Sequence, residues 1–343
     1  MSYTNARVKN TALFEEMLYI TRCIGGRISN LYTLFRKRKS YISAKSYFPE
    51  ALLKSKSQIF FDQLTYILRH GEINKYYFAM GFDRKDKKDC ARYLPIKRMD
   101  HARDKKNYIL PDYDNYNFVC LLNDKFTFGS FCRGLGFPTP VNIGIVEGGK
   151  LLLIQSKKQI PFGQITTLTI DAYCKILAGL QGKGTFHLEV KNGMIYKSGN
   201  LITIEELAGA FGNHKWIVQE RIADQHKSLS LLHPESINTI RLTTVNTGAV
   251  IEIISAALKV GVNGAKVDNW SAGGVLIGID LTTGTLEKWG FFKPGKGTKT
   301  DKHPNSNIIF EGIRFPIFTK RAIKPYFCTA SCTASILSVG ILQ

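Results

Sequence analysis

Short runs of β-branched and aliphatic residues, separated by polar turns, dominate the segment from Ile237 to Trp289. Such runs are typical of strands, and the Asn-Thr-Gly and Thr-Thr-Gly sequences between them are typical of tight turns. Strands joined by short turns pair in the antiparallel sense, so this pattern restricts the segment to an antiparallel sheet. The predicted strands are Thr239–Val245, Val250–Lys259, Val275–Ile279 and Thr285–Trp289.

The segment from Tyr116 to Ile222 combines helix and strand signals. Asp124 can cap a helix that glycines and prolines end, and Thr203 with Glu206 has the pattern of a capping box. Helices interleaved with antiparallel strands predict an α+β fold. The predicted strands of this segment are Phe118–Leu122, Val141–Val146, Leu151–Gln155, Ala172–Leu177, Phe186–Val190, Met194–Lys197 and Trp216–Ile222.

The first 74 residues predict a basic, mainly helical N-terminal region. Ala12–Ile24 and Gln58–Arg69 have helical apolar spacing, and Arg36-Lys37-Arg38-Lys39 adds a cationic run. A solvated basic helix surface explains this pattern more simply than a dedicated membrane anchor does. The charged stretch from Gly81 to Asn107 predicts a surface loop or hinge.

The net charge of +20 on 343 residues is the unusual feature of the composition. It favours partners such as phosphates, nucleic acids, anionic lipid surfaces or acidic glycans, with a solvated basic surface as the alternative, and it says nothing about the fold. No apolar run is long enough to predict a transmembrane helix, and the N-terminus has no secretory signal pattern. The 7 cysteines are dispersed, which predicts reduced thiols in a cytoplasmic protein rather than a disulfide framework or a zinc site.

A glycine-rich turn, Gly179-Leu180-Gln181-Gly182-Lys183-Gly184, follows the predicted strand that carries Lys175. Glycines let backbone amides wrap around phosphate oxygens, and a lysine adds positive charge. The turn leads to a strand and not to a helix, so a Walker loop is disfavoured and a flexible phosphate lid fits better. A plain hairpin turn remains the alternative.

Three further segments place polar residues beside apolar strands. The strand edge around Gln219 and Glu220 can present groups to adenine and ribose, or it can simply emerge into solvent. Arg241 lies in a predicted strand, where burial requires an anionic partner, either a ligand or a structural carboxylate. The loop from Val267 to Gly274 can close over a substrate, or it can be a long solvated loop.

These motifs occur in an order that resembles one known family. Asn123-Asp124-Lys125, the Gly136–Pro140 run, the lysine and glycine turn, "IVQERI", "HPESINTIRL" and "DNWSAGGV" together are similar to sugar-transfer associated ATP-grasp proteins. The similarity spans roughly residues 75–325 and is most specific from His233 to Gly274. It implies an ATP-grasp fold, in which two α+β lobes grip ATP, with the basic helical region as an N-terminal addition.

The resemblance also implies roles for individual residues. ATP would be bound by Lys125 and Lys175, by the lid residues Gly179, Gly182, Lys183 and Gly184, and by Gln219 and Glu220. The catalytic residues would be Arg241 and Lys259. The substrate would contact Asn238, Asp268, Asn269, Gly273 and Gly274.

The sequence departs from the family pattern at two places. Ile176 follows Lys175 where the family usually has proline. The family continues into a Gly-Trp-Asp strand and a Glu-x-Asn pair whose oxygens bind Mg²⁺, whereas this chain ends at Gln343, shortly after Gly340. The metal ligands are therefore expected beyond the chain end, and a C-terminally truncated enzyme with weak activity is the expectation.

The predicted domains are residues 1–74 (helical), 75–122 (a pre-grasp segment), 123–222 (the nucleotide-binding lobe) and 223–343 (the C-terminal lobe, incomplete). The predicted function is ATP-dependent ligation of a small carboxylate to an amine through an acylphosphate, with ATP and Mg²⁺ as cofactors and a link to surface polysaccharide or sugar precursors. The alternative is a non-catalytic basic protein that binds a nucleotide, an anionic glycan or a membrane surface, peripherally at the inner membrane face. Nucleic-acid binding ranks last, because the basic residues lack interleaved aromatics.

Overall fold

The computed structural model describes residues 2–95, 98–99, 121, 123–179, 184–222, 225, 227–246 and 251–315. The chain divides into two compact units. The discontinuous unit comprises residues 1–115 and 226–343, and the inserted unit comprises residues 116–225. The predicted strand at Phe118–Leu122 lies largely outside the described residues, and the C-terminal residues 316–343 lie wholly outside them.

Helices form the N-terminal part of the discontinuous unit. The longest helix extends well beyond the predicted Ala12–Ile24 segment. The second long helix begins at a complete capping box, in which Ser55 accepts from the backbone of Gln58 and the Gln58 side chain accepts from Ser55. It ends at Gly71 in a left-handed conformation with φ of 72°. The α-helices with bounds among the described residues of this unit are α1 (Ser2–Arg36), α2 (Arg38–Tyr41) and α3 (Lys56–His70), and a later α6 (Lys227–Leu232).

A five-stranded antiparallel sheet forms the second part of the discontinuous unit. Its spatial order follows the chain order, so each strand pairs with its sequence neighbour. The sheet confirms the antiparallel arrangement and the strands predicted from Ile237 to Trp289, and it adds one short edge strand. Its strands are β9 (Thr239–Asn246), β10 (Ile251–Val260), β11 (Val275–Ile279), β12 (Leu286–Phe291) and β13 (Lys299–Thr300).

Burial alternates along the central strands of this sheet, as the period of two requires. Ile240, Leu242 and Leu258 are buried in the core, together with Val275 and Ile277. The residues between them point to the opposite face, which carries the polar side chains. The sheet therefore has one core face and one polar face.

The segment after α2 is attached to the five-stranded sheet by aromatic and charged contacts. The Tyr47 hydroxyl donates to the Phe292 carbonyl at 2.9 Å, and burial raises the pKa of Tyr47 to about 12. The Lys299 ammonium lies 4.7 Å from the ring centre of Phe48 and 4.2 Å from that of Trp289. The predicted loop from Gly81 onward also contributes to this part of the unit, since Phe82 and Cys90 are buried in the same cluster.

The described part of the inserted unit contains an eight-stranded antiparallel sheet and the two helices named below. Its sheet order is β3-β2-β1-β8-β4-β5-β6-β7, so β8 returns from late in the chain to pair between β1 and β4. The predicted hairpins around Gly148 and Gly193 are confirmed. The elements are α4 (Lys125–Gly134), α5 (Ile204–Phe211), β1 (Asn142–Glu147), β2 (Lys150–Leu153), β3 (Gln159–Pro161), β4 (Ile170–Ile176), β5 (Phe186–Lys191), β6 (Met194–Lys197), β7 (Asn200–Ile202) and β8 (Trp216–Glu220).

One face of the eight-stranded sheet packs against α5. The capping box predicted at Thr203 and Glu206 is present and begins this helix. Phe211 is 1% exposed, and its ring centre lies 5.4 Å from those of Phe186 and Trp216. These three aromatic rings pack together in the core of the inserted unit.

We expect Phe211→Ala to lower the free energy of unfolding by about 3–5 kcal/mol, because the change leaves a cavity among aromatic rings. Leu201→Ala is the matched control, since Leu201 lies in the same unit and is 63% exposed; its effect should stay within about 0.5 kcal/mol. Urea unfolding followed by circular dichroism measures both variants. Equal losses for the two would contradict the proposed core.

Candidate functional site

Helix α4 begins at the end of strand β4, and this meeting point positions the first lysine. The Asp124 side chain caps the helix by accepting from the Thr127 amide at 2.7 Å. The Lys125 amide donates to the Leu177 carbonyl, directly after β4. The first turn of the helix is thereby fixed against the start of the glycine turn.

The Lys125 ammonium holds the backbone at the start of that turn. Its Nζ donates to the carbonyls of Ile176 at 2.9 Å, Leu177 at 3.3 Å and Gly179 at 2.5 Å. An ammonium has three donors, so these three carbonyls use its full hydrogen-bonding capacity. Burial lowers the pKa of Lys125, and the Asp124 carboxylate partly opposes this effect.

The second lysine lies on the sheet face opposite the aromatic core. Lys175 donates to Gln219 Oε1 at 3.0 Å, and Gln219 in turn donates to Asn142 Oδ1 at 2.9 Å. This chain of contacts crosses β4, β8 and β1, which are neighbours in the sheet. Burial lowers the pKa of Lys175, and the positive charge of Lys125 lowers it further. Two half-buried ammonium groups therefore lie near one another at the entrance to the glycine turn.

The glycines of the turn leave space for the side chain of Ile176. A Cβ atom at Gly179 would lie 2.9 Å from the Ile176 Cβ, and one at Gly184 would lie 2.8 Å from its Cδ1. Gly184 also has φ of 76°, which favours glycine. Ile176, which departs from the family pattern, is thus accommodated at both described ends of the turn. Gly182 and Lys183 lie outside the described residues.

A charged cluster lies on the same face of the sheet, further along β4 from Lys175. Asp171 is bonded by His187 at 2.6 Å and by the Arg221 Nε at 2.9 Å. Burial raises the pKa of Asp171, but these two hydrogen bonds outweigh burial and lower it overall. Glu220, predicted to contact ribose, is exposed at the end of β8. Sequence analysis did not identify this cluster, although the alternation of β4 places Asp171 and Lys175 on one face.

In the discontinuous unit, the polar face of the five-stranded sheet carries both predicted catalytic residues. Thr239 pairs with Lys259, and Arg241 pairs with Ala257. Directly opposed residues of antiparallel strands share a face, so all four side chains point to the side away from the core. The Arg241 side chain is exposed there.

Asp268 joins the two most specific sequence motifs. One of its carboxylate oxygens accepts from the Thr239 amide at 2.9 Å and also from the Thr239 hydroxyl. The other lies 3.5 Å from the Lys259 ammonium, and the Asp268 side chain is only 13% exposed. The "HPESINTIRL" and "DNWSAGGV" segments are therefore connected at this point, and Lys259 has a carboxylate partner.

Three of the predicted substrate residues, Asn269, Gly273 and Gly274, lie in one tight loop. The Asn269 side chain accepts from the Ser271 amide at 3.1 Å, and its carbonyl accepts from the Gly274 amide. Gly273 has φ of 118°, which a side chain would strain. A Cβ at Gly274 would lie 2.7 Å from the Val260 carbonyl, so only glycine allows this approach. The backbone conformation at Gly273 and the close packing at Gly274 therefore explain both glycines without a ligand.

Asn238 is the predicted substrate residue whose contacts are internal. It is 1% exposed, and its amide donates to the carbonyls of Leu229 at 3.0 Å and His233 at 2.8 Å. Its oxygen accepts from the Gly261 amide. The described contacts of Asn238 thus join α6, the following loop and the end of β10.

Glu287 is an acidic residue of the polar face that sequence analysis missed. A Cβ atom at Gly278 would overlap the Glu287 carboxylate, so this carboxylate lies directly over Gly278. Gly278 pairs with Ala257, which pairs in turn with Arg241. Two small residues therefore form a floor between Arg241 and Glu287. The strand alternation of β12 could have indicated the orientation, but not the contact with Gly278.

A comparison with known families decides the relationship of the chain. A family model described as sugar-transfer associated ATP-grasp matches residues 103–342, more than half of the chain. This chain belongs to the sugar-transfer associated ATP-grasp family. The predicted family and its α+β fold class are confirmed. A search of curated proteins gives no match.

Membership of the ATP-grasp family implies ATP-dependent, ligase-like chemistry and does not name the substrates. ATP-grasp proteins are also expected to bind Mg²⁺. Among the described residues, no three His, Cys, Asp or Glu side chains come together as a metal site.

We expect Lys175→Met to change how the stability of this ATP-grasp protein depends on pH. The pKa of Lys175 is lowered in the folded state, so the unfolded chain binds more protons between that lowered value and the ordinary lysine value of about 10.4. Across this interval the wild type should gain stability, relative to the variant, as the pH rises.

Urea unfolding at a series of pH values measures this difference. Lys158→Met is the control, because Lys158 is an exposed lysine of the same unit. The control should show no comparable gain. If the wild type instead loses stability relative to Lys175→Met as the pH rises, the pKa of Lys175 is not lowered in the folded state, and the assignment of a half-buried lysine is wrong.

Proposed function

We propose that this protein is an ATP-dependent carboxylate–amine ligase that forms an acylphosphate and acts on a sugar-linked or surface-polysaccharide substrate. The observation that supports this most is the pair of half-buried lysines, Lys125 and Lys175, at the start of a glycine turn. Two neighbouring ammonium groups with lowered pKa values are disfavoured without an anion. A polyphosphate would relieve this repulsion.

The inserted unit is proposed to bind ATP. Lys175 would contact the phosphates, and Lys125 would exchange a backbone carbonyl for a phosphate oxygen. Gln219 orients the Lys175 ammonium through its 3.0 Å hydrogen bond. The glycine turn would close over the phosphates, and the exposed Glu220 would reach the ribose hydroxyls. The other proposed ATP contacts are Gly179, Gly182, Lys183 and Gly184.

The polar face of the five-stranded sheet is proposed to bind the acceptor substrates. Arg241 would neutralise the substrate carboxylate or the transferred phosphate, as a guanidinium pairs well with either. Lys259 is held beside it by Asp268 at 3.5 Å. Glu287, on the far side of the floor formed by Ala257 and Gly278, would attract the incoming amine. Asn269, Gly273 and Gly274 shape the adjoining loop.

The proposed reaction has two balanced steps. A carboxylate oxygen of the first substrate attacks the γ-phosphorus, and the bond from that phosphorus to the bridging oxygen breaks, so ADP leaves. The amine nitrogen then attacks the acyl carbon, phosphate leaves, and the nitrogen loses a proton to give an amide. In such transfers, positioning and charge neutralisation supply most of the rate enhancement.

A non-catalytic nucleotide-binding protein is the second candidate. The ion pair between Lys259 and Asp268 favours it, because a lysine already neutralised by a carboxylate offers less charge to a reacting phosphate. This candidate predicts ATP binding without turnover. The two candidate functions therefore differ in whether bound ATP is turned over.

We expect Lys175→Ala to weaken ATP binding about tenfold or more, equivalent to about 1.4 kcal/mol. Isothermal titration calorimetry with ATP measures the affinity. Lys158→Ala, which removes the same charge from an exposed position in the same unit, should change it less than about threefold. Equal ATP affinity for wild type and Lys175→Ala would remove Lys175 from the binding site.

We expect Arg241→Met to abolish carboxylate-dependent ADP release and to leave ATP affinity within about threefold of wild type. The assay incubates the chain with ATP, Mg²⁺, hydroxylamine and a panel of uronic and amino acids, and measures ADP, phosphate and hydroxamate. Arg314→Met is the control, because Arg314 is exposed in the same unit. Release of AMP and pyrophosphate would overturn the acylphosphate route, and binding without turnover would favour the second candidate.

A further inference from the structure

Helix α1 exposes a continuous apolar stripe. Its members recur every three or four residues, the spacing that places side chains on one side of a helix. They are 51–73% exposed, although they include some of the largest apolar side chains of the chain. The stripe consists of Met17, Ile20, Ile24, Ile28, Tyr32 and Phe35.

The packing of α1 against α3 leaves most of this stripe exposed. The two helices meet through another face of α1, where the Asn30 side chain donates to the Gly71 carbonyl at 3.0 Å. On the same face, the Arg27 Nε donates to the Leu68 carbonyl at 2.9 Å. Leu34, also on this face, is fully buried. Of the stripe, Phe35 contacts α3 through the ring of Phe60, and the other members lie away from the hydrogen bonds that join the two helices.

The apolar surface continues from α1 onto α3. The Phe35 ring centre lies 5.7 Å from that of Phe60, which lies 5.7 Å from that of Phe61. Phe61 is 62% exposed, and Leu68, further along the same helix, is 54% exposed. The two helices thus present one apolar surface, here called the α1–α3 surface, made of the stripe, Phe61 and Leu68.

Positive charge accompanies the α1–α3 surface. From Met17 to Pro49 the sequence contains no Asp or Glu and 7 Lys or Arg residues. Arg36, Lys37, Arg38 and Lys39 are all exposed at the end of α1. On α3, Asp62 is bound by the Lys54 ammonium at 2.7 Å and by the Tyr77 hydroxyl at 2.5 Å. The partner that complements this surface is apolar and anionic.

We propose that the α1–α3 surface binds peripherally to an anionic phospholipid bilayer, with both helices lying in the interfacial plane. Apolar side chains enter the headgroup region, and the Arg36–Lys39 run contacts acidic headgroups. Among the described residues, none of the helices combines the length and hydropathy needed to span a bilayer. A second copy of the chain fits less well, because it would bring the same cationic surface into contact with itself.

The test is co-sedimentation of the full chain with vesicles of phosphatidylcholine alone or mixed with phosphatidylglycerol. Binding should require phosphatidylglycerol and weaken steeply with salt. Ile24→Gln/Ile28→Gln and Lys37→Gln/Arg38→Gln should each weaken it about tenfold or more. Leu201→Gln/Leu231→Gln is the control, because these apolar residues are also exposed, at 63% and 66%, and lie elsewhere.

Thermal unfolding of each variant, followed by circular dichroism, checks that the fold is retained. Equal vesicle binding by the Ile24→Gln/Ile28→Gln variant and the control would overturn the proposal. It would equally be overturned by a wild type that does not bind phosphatidylglycerol. A dimer in analytical ultracentrifugation that dissociates only in the isoleucine variant would assign the surface to a second copy instead.

Discussion

The main apolar core of each sheet lies on one face, and this constraint decides where chemically active side chains can lie. Because side chains alternate along a strand, Ile240 and Leu242 in the core leave Thr239 and Arg241 on the other side. The same holds on β4, where the buried Cys174 precedes Lys175. Polar residues at alternate positions can therefore change to suit a ligand without disturbing the core. The core in turn fixes their spacing, since neighbouring strands lie about 4.8 Å apart.

The charges on these polar faces are arranged in two different ways. On the five-stranded sheet, Lys259 is matched by Asp268, and Glu287 lies across a floor of small residues from Arg241. At the glycine turn, the Lys125 and Lys175 ammonium groups are instead held near one another, with neutral oxygens as partners. Neutral partners satisfy hydrogen bonds but do not cancel charge, and the Asp124 carboxylate only partly opposes the effect of burial on Lys125.

Patterns within a few residues of sequence predicted the helix caps and most strands, because these elements depend on interactions between residues that are close in the chain. The caps at Asp124 and Thr203, and most strands of both sheets, follow from side-chain hydrogen bonding and period-two patterning. Short strands such as β13 have too few residues to show a pattern. Contacts between distant residues, such as Asp268 with Thr239, arise only once the sheet brings them together. The clustering of Asp171 with Arg221 likewise depends on β8 pairing beside β4.

The ion pairs indicate where the cationic excess of the sequence is concentrated. Several acidic residues are bound to basic side chains within one unit, including Asp62 with Lys54, Glu50 with Lys299, and Asp268 with Lys259. Each such pair cancels one positive charge, so the surplus remains where acids are absent. The stretch from Met17 to Pro49 is such a region, and it also carries the exposed apolar stripe. A solvated basic helix would have polar residues at those positions. The coincidence of uncovered apolar area with unneutralised charge is what distinguishes an interfacial surface from an ordinary soluble helix.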